Sequence, residues 1–260
     1  MLGVAGYPVG HSRSPAMHGA ALRAAGIPWR YVRLPLPPVR FAPTVRALPD
    51  SGFRGINVTI PHKLAALALA DEAAPAARAT GAANTLSFVD GAIHADNTDA
   101  TGLLDALGEP VTGRRCLVLG AGGSGRAAAW ALREAGAAEV RVWNRTAERA
   151  EALARELDVE VAARPGPCDV LVQATSVGLA GEAEEGALQA LGLLGLDPPP
   201  LVVDLVYGAT PTPVQRWAAR GGARVVDGLE MLVRQGARSF TIWTGREPDV
   251  DAMREAARAG

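Results

Sequence analysis

Apolar residues along this chain fall in short runs, separated by alanine-rich stretches with helical spacing, and the two alternate almost from end to end. Near the amino terminus, LGVAGYP (2–8), WRYVRLPL (29–36) and FRGINVTI (53–60) read as strands. SPAMHGAALRAAG (14–26) reads as a helix: Ser14 is a candidate cap, Pro15 suits the first turn and Gly26 stops it. PHKLAALALADE (61–72) reads as a helix opened by Pro61. Another follows Asn97–Thr98–Asp99 and runs through Leu103, Leu104 and Leu107 to Gly108. This β-α-β-α order predicts a mostly parallel sheet.

The pattern restarts at Gly113–Arg114–Arg115. Strands at 116–120, 139–144, 169–175, 201–208 and 223–228 alternate with helices at 124–136, at 146–157 and after Pro211. A further helical stretch covers 227–236, and 181–200 is a Gly/Pro-rich connector with a weak helix. Apolar strands alternating with helices predict a doubly wound sheet, buried on both faces.

Composition narrows the function. The 260 residues carry 26 basic and 27 acidic side chains, a net charge of −1. No long-range positive field exists to attract phosphate backbones or an anionic membrane, so neither nucleic acid nor membrane is an expected partner. Two cysteines, Cys116 and Cys168, lie in apolar runs and read as buried thiols, not a disulfide scaffold. The sequence opens without a basic-then-apolar leader, and no apolar run is long enough to span a bilayer, so a cytoplasmic location is expected. No metal is expected.

One bias is informative. Of the 26 cationic residues 25 are arginine, and the exception is Lys63. Lysine can give up a proton where arginine cannot, so lysine at this place suits proton transfer. Asparagine is nearly as rare, at 57, 84, 97 and 144 only. Polar clusters stand at predicted strand ends or helix starts: His11–Ser12–Arg13–Ser14, Asn57 through Lys63, Asn84–Thr85 and Asn97–Thr98–Asp99. Each alone could be capping; together they would recognise a small hydroxylated or carboxylated molecule. Asp99 is the natural partner to orient Lys63.

GAGGSG at 120–125 follows a short strand and opens a helix, the context in which Gly120, Gly122 and Gly125 would cradle a pyrophosphate. At the end of the next strand, where NAD selection wants a carboxylate, stand Asn144, Arg145 and Thr146. Arg145 can pair with a 2′-phosphate, so NADP is expected over NAD. Tyr207 ends another strand, and Met231 and Gln235 lie four apart on one helix face. Packing and function are equally open for Met231.

HSRSPAMH, GINVTIPHK, GAANT, DNTDATG, GAGGSGR, WNRT, ATSVG, DLVYGATPTP and DGLEMLVRQGA together resemble the shikimate dehydrogenase family over nearly the whole chain. The resemblance implies reversible NADPH-dependent reduction of 3-dehydroshikimate to shikimate, in the route to aromatic amino acids. It implies an α/β fold with a substrate domain at 1–101, a Rossmann-like NADP domain at 102–236, a cleft between them, and 237–260 packing back on the first. It assigns Lys63 and Asp99 as the catalytic pair, and Ser12 and Ser14 to the substrate carboxylate. Thr59, Asn84 and Gln235 would take ring hydroxyls, with Asn57 and Tyr207 lining the same pocket. Cofactor contacts would come from Gly120, Ala121, Gly122, Gly123, Ser124 and Gly125, from Asn144, Arg145 and Thr146, and from Thr175, Ser176, Gly228 and Met231. The chain departs from the family at Ala95 and Ala100, where glycine is common. A monomer or homodimer acting on a small molecule is expected. The alternatives are a quinate/shikimate dehydrogenase with relaxed cofactor use, a folate-linked NADP dehydrogenase, and a non-catalytic NADP-binding regulatory module. The paired serines and the Asn-Thr-Asp turn count against the second, and the presence of both Lys63 and Asp99 against the third.

Overall fold

The computed structural model describes residues 1–179, 183–208 and 210–259. Its contacts divide the chain into two compact units, Met1–Gly102 with Leu232–Gly260, and Leu103–Met231.

The first unit opens with β1 (Leu2–Gly6), α1 (Ser14–Ala24), β2 (Tyr31–Pro35), α2 (Pro38–Ala47) and β3 (Gly55–Val58). It continues through α3 (Lys63–Ala68), β4 (Glu72–Ala73), α4 (Pro75–Thr80), β5 (Thr85–Val89), β6 (Ala92–Asp96) and the start of α5 (Thr98–Leu107). The sheet order is β2-β1-β3-β5-β6-β4. It is mostly parallel, as the element order predicts, with one exception: β5 runs antiparallel to both β3 and β6. The cause is a two-residue hairpin at Asp90–Gly91, both at positive φ (50° and 81°), with Val89 facing Ala92. An Asp-Gly pair supplies the left-handed conformations that such a turn requires.

Two local expectations are corrected, and one helix is added. Ser14 does not cap α1; Arg13 holds the cap position and Ser14 is the first helical residue, its N–H donating to Ser12 Oγ at 3.2 Å. The helix expected over 61–72 is only Lys63–Ala68, because the chain then turns into β4, where Asp71 accepts from the Ile93 N–H at 2.8 Å. Helix α2 carries Pro43 inside it and lacks a capping side chain, so its sequence gives little helical signal.

The second unit holds β7 (Arg115–Leu119), α6 (Gly123–Glu134), β8 (Glu139–Trp143), α7 (Ala147–Leu157), β9 (Glu160–Val161), β10 (Val170–Gln173), α8 (Glu184–Ala190), β11 (Leu201–Asp204), α9 (Pro213–Arg220) and β12 (Arg224–Val226). Helix α8 is the weak helix of the connector, whose residues 181 and 182 lie outside the described residues. All six strands are parallel, in the order β12-β11-β10-β7-β8-β9. Alternate residues serve opposite faces. Cys116, Val118, Val170 and Val172 pack against Leu132 and Leu153, while Leu117, Leu119 and Leu171 pack against Leu188 and Trp217. Both faces are therefore covered, and the strands read as continuous apolar runs. Helix α9 starts at Pro213, not Pro211, because Thr212 and Gln215 form a capping box.

Helix α10 (Gly228–Thr244) contains the unit boundary, so Gln235 belongs to the first unit. Helix α11 (Val250–Ala259) packs on α1. No helix among the described residues is long and apolar enough to cross a membrane, and they contain no cluster fit to hold a metal ion.

Candidate active site

Strand pairing gathers the polar segments of the first unit. Asn57 faces Thr85, and Thr85 faces Asp96. Asn57, Asn84–Thr85 and Asn97–Thr98–Asp99 thus share the edge where β3 and β6 end, and Lys63 starts α3 just beyond β3. Lys63 Nζ donates to Asp99 Oδ2, with about a tenth of each side chain exposed (10% and 9%). Asn84 Nδ2 donates to the other carboxylate oxygen, Oδ1, at 2.7 Å. Asn97 fixes where Asp99 stands: its Oδ1 caps the Asp99 N–H at 3.1 Å, and its Nδ2 is anchored on Thr80 Oγ1 and the Ala82 carbonyl. The carboxylate therefore lies in the first turn of α5, where the helix dipole favours negative charge.

Asn84 joins this pair to α10. Its Nδ2 also reaches Thr98 Oγ1 at 3.0 Å and Gln235 Oε1 at 3.2 Å, and its Oδ1 accepts from the Thr98 N–H at 2.8 Å. Gln235 Nε2 donates to the Leu232 carbonyl at 2.7 Å. Asn57 is clamped at both ends of its amide: Oδ1 accepts from Tyr31 Oη at 2.7 Å, and Nδ2 donates to Ser239 Oγ at 2.9 Å. Tyr31 stacks on His18 with ring centroids 4.4 Å apart. Burial pushes the His18 imidazole down to about 3, the nearby Asn57 amide opposing, so this ring is neutral; neither nitrogen finds a hydrogen-bond partner among the described residues. Ser12 and Ser14 are buried and bond to each other, and Arg33 Nη2 donates to the Ser12 carbonyl at 2.7 Å. Thr59 is half-buried at the end of β3.

Sequence reasoning missed Ser239 and Tyr31. Ser239 lies four residues beyond Gln235, on the same helix face, and that spacing was the available signal.

In the second unit, the carboxyl ends of β7, β8, β10, β11 and β12 share one edge, and the strand order reverses at β7. Its three motif glycines differ in what they face. Gly120 has φ +112°, and a Cβ there would lie 3.0 Å from the Ala174 carbonyl oxygen. At Gly125 a Cβ would lie 2.0 Å from the Gly120 carbonyl oxygen. At Gly122, exposed and in the cap position of α6, a Cβ would meet nothing within 4 Å among the described residues. The protein itself does not require a glycine at 122; a ligand approaching the backbone there would. Gly123 and Ser124 form the first turn of α6.

Asn144 already has partners at both ends of its amide. Its Oδ1 accepts from the Ala121 N–H at 3.2 Å and its Nδ2 donates to the Thr146 carbonyl at 2.8 Å, tying the glycine loop to the β8–α7 turn. Arg145 and Thr146 are exposed on that turn. Gln173, wholly buried, shapes the loop after β10: it accepts from the Thr175 N–H and donates to the Val177 carbonyl. Thr175 Oγ1 accepts from the Val177 N–H at 3.1 Å, and Ser176 is exposed. Asp204 ends β11 and accepts from the Val206 N–H and from Thr212 Oγ1, just ahead of half-buried Tyr207. Burial raises its carboxyl to about 6 against those two hydrogen bonds. At Gly228 a Cβ would lie 2.7 Å from the Leu205 carbonyl oxygen, so the start of α10 presses on the end of β11. Met231 is buried in the core with Leu103 and Leu107, so its side chain packs.

A dinucleotide fits these residues: an open backbone at Gly122, the N–H groups of an α6 first turn, and an exposed arginine one strand over. A parallel sheet with this loop, in one chain with a buried lysine–aspartate pair among amides and hydroxyls, defines an α/β nucleotide-dependent oxidoreductase. Three family models match: the shikimate dehydrogenase substrate binding domain at residues 4–86, shikimate / quinate 5-dehydrogenase at 103–176, and the shikimate 5′-dehydrogenase C-terminal domain at 228–258. The shikimate dehydrogenase (NADP(+)) of one Thermus thermophilus strain is 46% identical, over 98% of this chain and 96% of its own. The crystal structure of shikimate 5-dehydrogenase from a second Thermus thermophilus strain, in complex with NADP(H) and shikimate, matches with a TM-score of 0.86 at 42% identity, covering 99% of this chain and 98% of that one. The 5-ketofructose reductase of a Gluconobacter strain matches at 0.84 with 31% identity, covering 99% and 97%. The chain belongs to the shikimate dehydrogenase family. The α/β fold class and the NADP cofactor expected from sequence agree with these relatives.

Proposed function

We propose that this chain interconverts 3-dehydroshikimate and shikimate with Lys63 and Asp99 as its catalytic pair. The observation that carries this reading is the buried Lys63–Asp99 contact, held on its other side by Asn84. A dinucleotide held by Gly122, the first turn of α6 and Arg145 would supply the hydride for the ring ketone. In this reading Lys63 Nζ passes a proton to the oxygen that becomes negative, and its charge stabilises that oxygen beforehand. Asp99 orients the ammonium group, and Asn84 keeps the carboxylate from rotating away. Ser12 and Ser14 take the substrate carboxylate; Asn57, Thr59, Asn84, Tyr207 and Gln235 take the rest of the ring. The first unit is the substrate domain and the second the NADP domain, with Gly122, the first turn of α6 and Arg145 as principal cofactor contacts. The protein acts in the cytoplasm as a monomer or homodimer, without nucleic acid or membrane.

The test is steady-state turnover of Lys63→Ala and Lys63→Arg with shikimate and NADP. A positioned general acid contributes about 10²–10⁴-fold, so kcat of Lys63→Ala falls by that factor. Lys63→Arg retains charge without the proton and recovers only part of the loss. Near-normal turnover of Lys63→Ala would falsify the assignment. Because one matching model is described as shikimate / quinate 5-dehydrogenase, quinate and NAD belong in the same panel. Comparable rates with either would widen the substrate or cofactor range and leave the Lys63–Asp99 pair in place.

A further inference from the structure

We propose that Ser239 is a positioning residue for the substrate, acting through the amide of Asn57; this rests on the reading of Asn57 and Gln235 as substrate contacts. Ser239 is wholly buried on the face of α10 that carries Gln235. Its Oγ accepts from Asn57 Nδ2 at 2.9 Å and donates to the Gln235 carbonyl at 3.1 Å. The same oxygen lies 2.8 Å from Thr85 Oγ1 and 3.1 Å from Thr98 Oγ1. It therefore brings α10 within hydrogen-bond reach of three polar residues at the sheet edge, two of which its lone pairs can serve at once.

The consequence for Asn57 is directional. An amide buried this deeply can sit in two orientations, exchanging its oxygen and nitrogen. Tyr31 Oη donating at 2.7 Å selects the oxygen side, and Ser239 Oγ accepting at 2.9 Å selects the nitrogen side. The remaining acceptors for Asn57 Nδ2, Thr85 Oγ1 at 3.2 Å and the Asn84 carbonyl at 3.3 Å, are longer and hold it less firmly. Without the serine hydroxyl the amide loses its shortest nitrogen-side bond, and α10 loses its link to the edge beside Gln235. The chain of hydrogen bonds from Asp99 through Asn84, Thr98 and Ser239 to Asn57 passes through amides, which transfer protons poorly. Ser239 thus orients groups and does not relay protons.

A role of this kind weakens substrate binding equally in ground and transition states. Ser239→Ala is expected to raise the KM for shikimate about three- to tenfold, the range of one lost hydrogen bond, with kcat within twofold and the KM for NADP unchanged. Tyr31→Phe removes the opposite clamp and is expected to give the same signature. It carries the test if Ser239→Ala does not fold. Asn57→Ala is the control for the underlying reading, and the double variant Asn57→Ala/Ser239→Ala should be no worse than Asn57→Ala alone. If Asn57→Ala impairs KM while neither Ser239→Ala nor Tyr31→Phe does, the positioning role is overturned and the site reading stands. If Asn57→Ala and Gln235→Ala both leave KM unchanged, the site reading itself fails and takes the proposal with it. A fall in kcat or a rise in the KM for NADP with Ser239→Ala would also overturn it, since a loosened fold would move all three constants.

Discussion

The three glycines of the loop after β7 make separable predictions, and Gly122→Ala is the most discriminating perturbation. A methyl at 122 meets no protein atom within 4 Å among the described residues, and the residue's φ of −83° and ψ of −174° suit alanine. Its folding cost is the poorer helix cap alone, about 0.5 kcal/mol. A methyl at 125 would lie 2.0 Å from the Gly120 carbonyl oxygen, where an ordinary C···O contact is about 3.3 Å. The backbone of the β7–α6 turn must then move by more than about 1 Å, and overpacking against backbone costs about 3 kcal/mol or more. For a unit of this size that is a fall in Tm of about 10 °C for Gly125→Ala, against about 2 °C for Gly122→Ala. Cofactor affinity should rank the other way relative to stability. If a pyrophosphate approaches Gly122, the new methyl pushes it away from the first-turn N–H groups of α6. One lost charge-assisted hydrogen bond is worth about 1.5–3 kcal/mol, so the KM for NADP rises about tenfold or more. The assay is thermal melting together with KM for NADP and for shikimate on each variant. A Gly122→Ala enzyme with wild-type KM for NADP would refute the placement of the pyrophosphate. A Gly125→Ala enzyme that melts like wild type would refute the packing argument.

Arg145→Ala is expected to cut kcat/KM for NADP about tenfold while leaving NAD nearly unchanged; an unaltered NADP-to-NAD ratio would remove Arg145 from the 2′-phosphate site. Asp204 should give stability an acid-side slope. Its carboxyl is raised by burial from 3.8 to about 6, so the native state holds more protons than the unfolded one across that window. Stability therefore falls as pH rises from about 4 to 6 and is level above. Asp204→Asn should abolish that contribution and gain up to about 3 kcal/mol relative to wild type above pH 6, from about two units at 1.36 kcal/mol each. The difference between the two proteins isolates Asp204 from Asp169, whose exposed pairing with Arg115 lowers its carboxyl to about 2 and tilts stability the opposite way. Melting curves with the same pH dependence in both proteins would contradict the burial argument.

The second unit was the more legible half of the chain. Its strands are covered on both faces, so they stand out as apolar runs, and the glycine loop punctuates the first of them. In the first unit β2 and β6 are buried only at alternate positions and β5 is partly exposed, so their apolar runs are broken by polar residues. The β5–β6 hairpin was nonetheless announced by Asp90–Gly91, a local signal that the search for β-α alternation passed over. Lys63 and Asp99 could be picked out because their residue types resist the compositional bias of the chain. Their contact could not, since it depends on β3, β5 and β6 pairing in a register that brings residues 36 apart together. Ser239 escaped for a related reason. A serine in a helix is commonplace, and its value comes from residues 141 to 182 positions away that fold against it.

Hydrogen counting explains why Gln235 in particular suits a hydroxylated ligand. Asn84 Nδ2 has two hydrogens and three acceptors within 3.2 Å. The Asp99 carboxylate, charged and nearest at 2.7 Å, takes one of them. The other is divided between Thr98 Oγ1 at 3.0 Å and Gln235 Oε1 at 3.2 Å, and Thr98 itself reaches Gln235 Oε1 only at 3.5 Å. Gln235 Oε1 is thus the least well served acceptor of the group, and its side chain cannot turn away because Nε2 is held by the Leu232 carbonyl. A ligand hydroxyl donating to that oxygen fills the deficit, whereas a ligand with a methylene there leaves it unfilled and drier than before. Sites of this design reject the analogue lacking the hydroxyl far more strongly than they favour the one that has it. The same rigidity that fixes the Lys63–Asp99 pair therefore also fixes the acceptor that a hydroxyl of the proposed substrate would meet at Gln235.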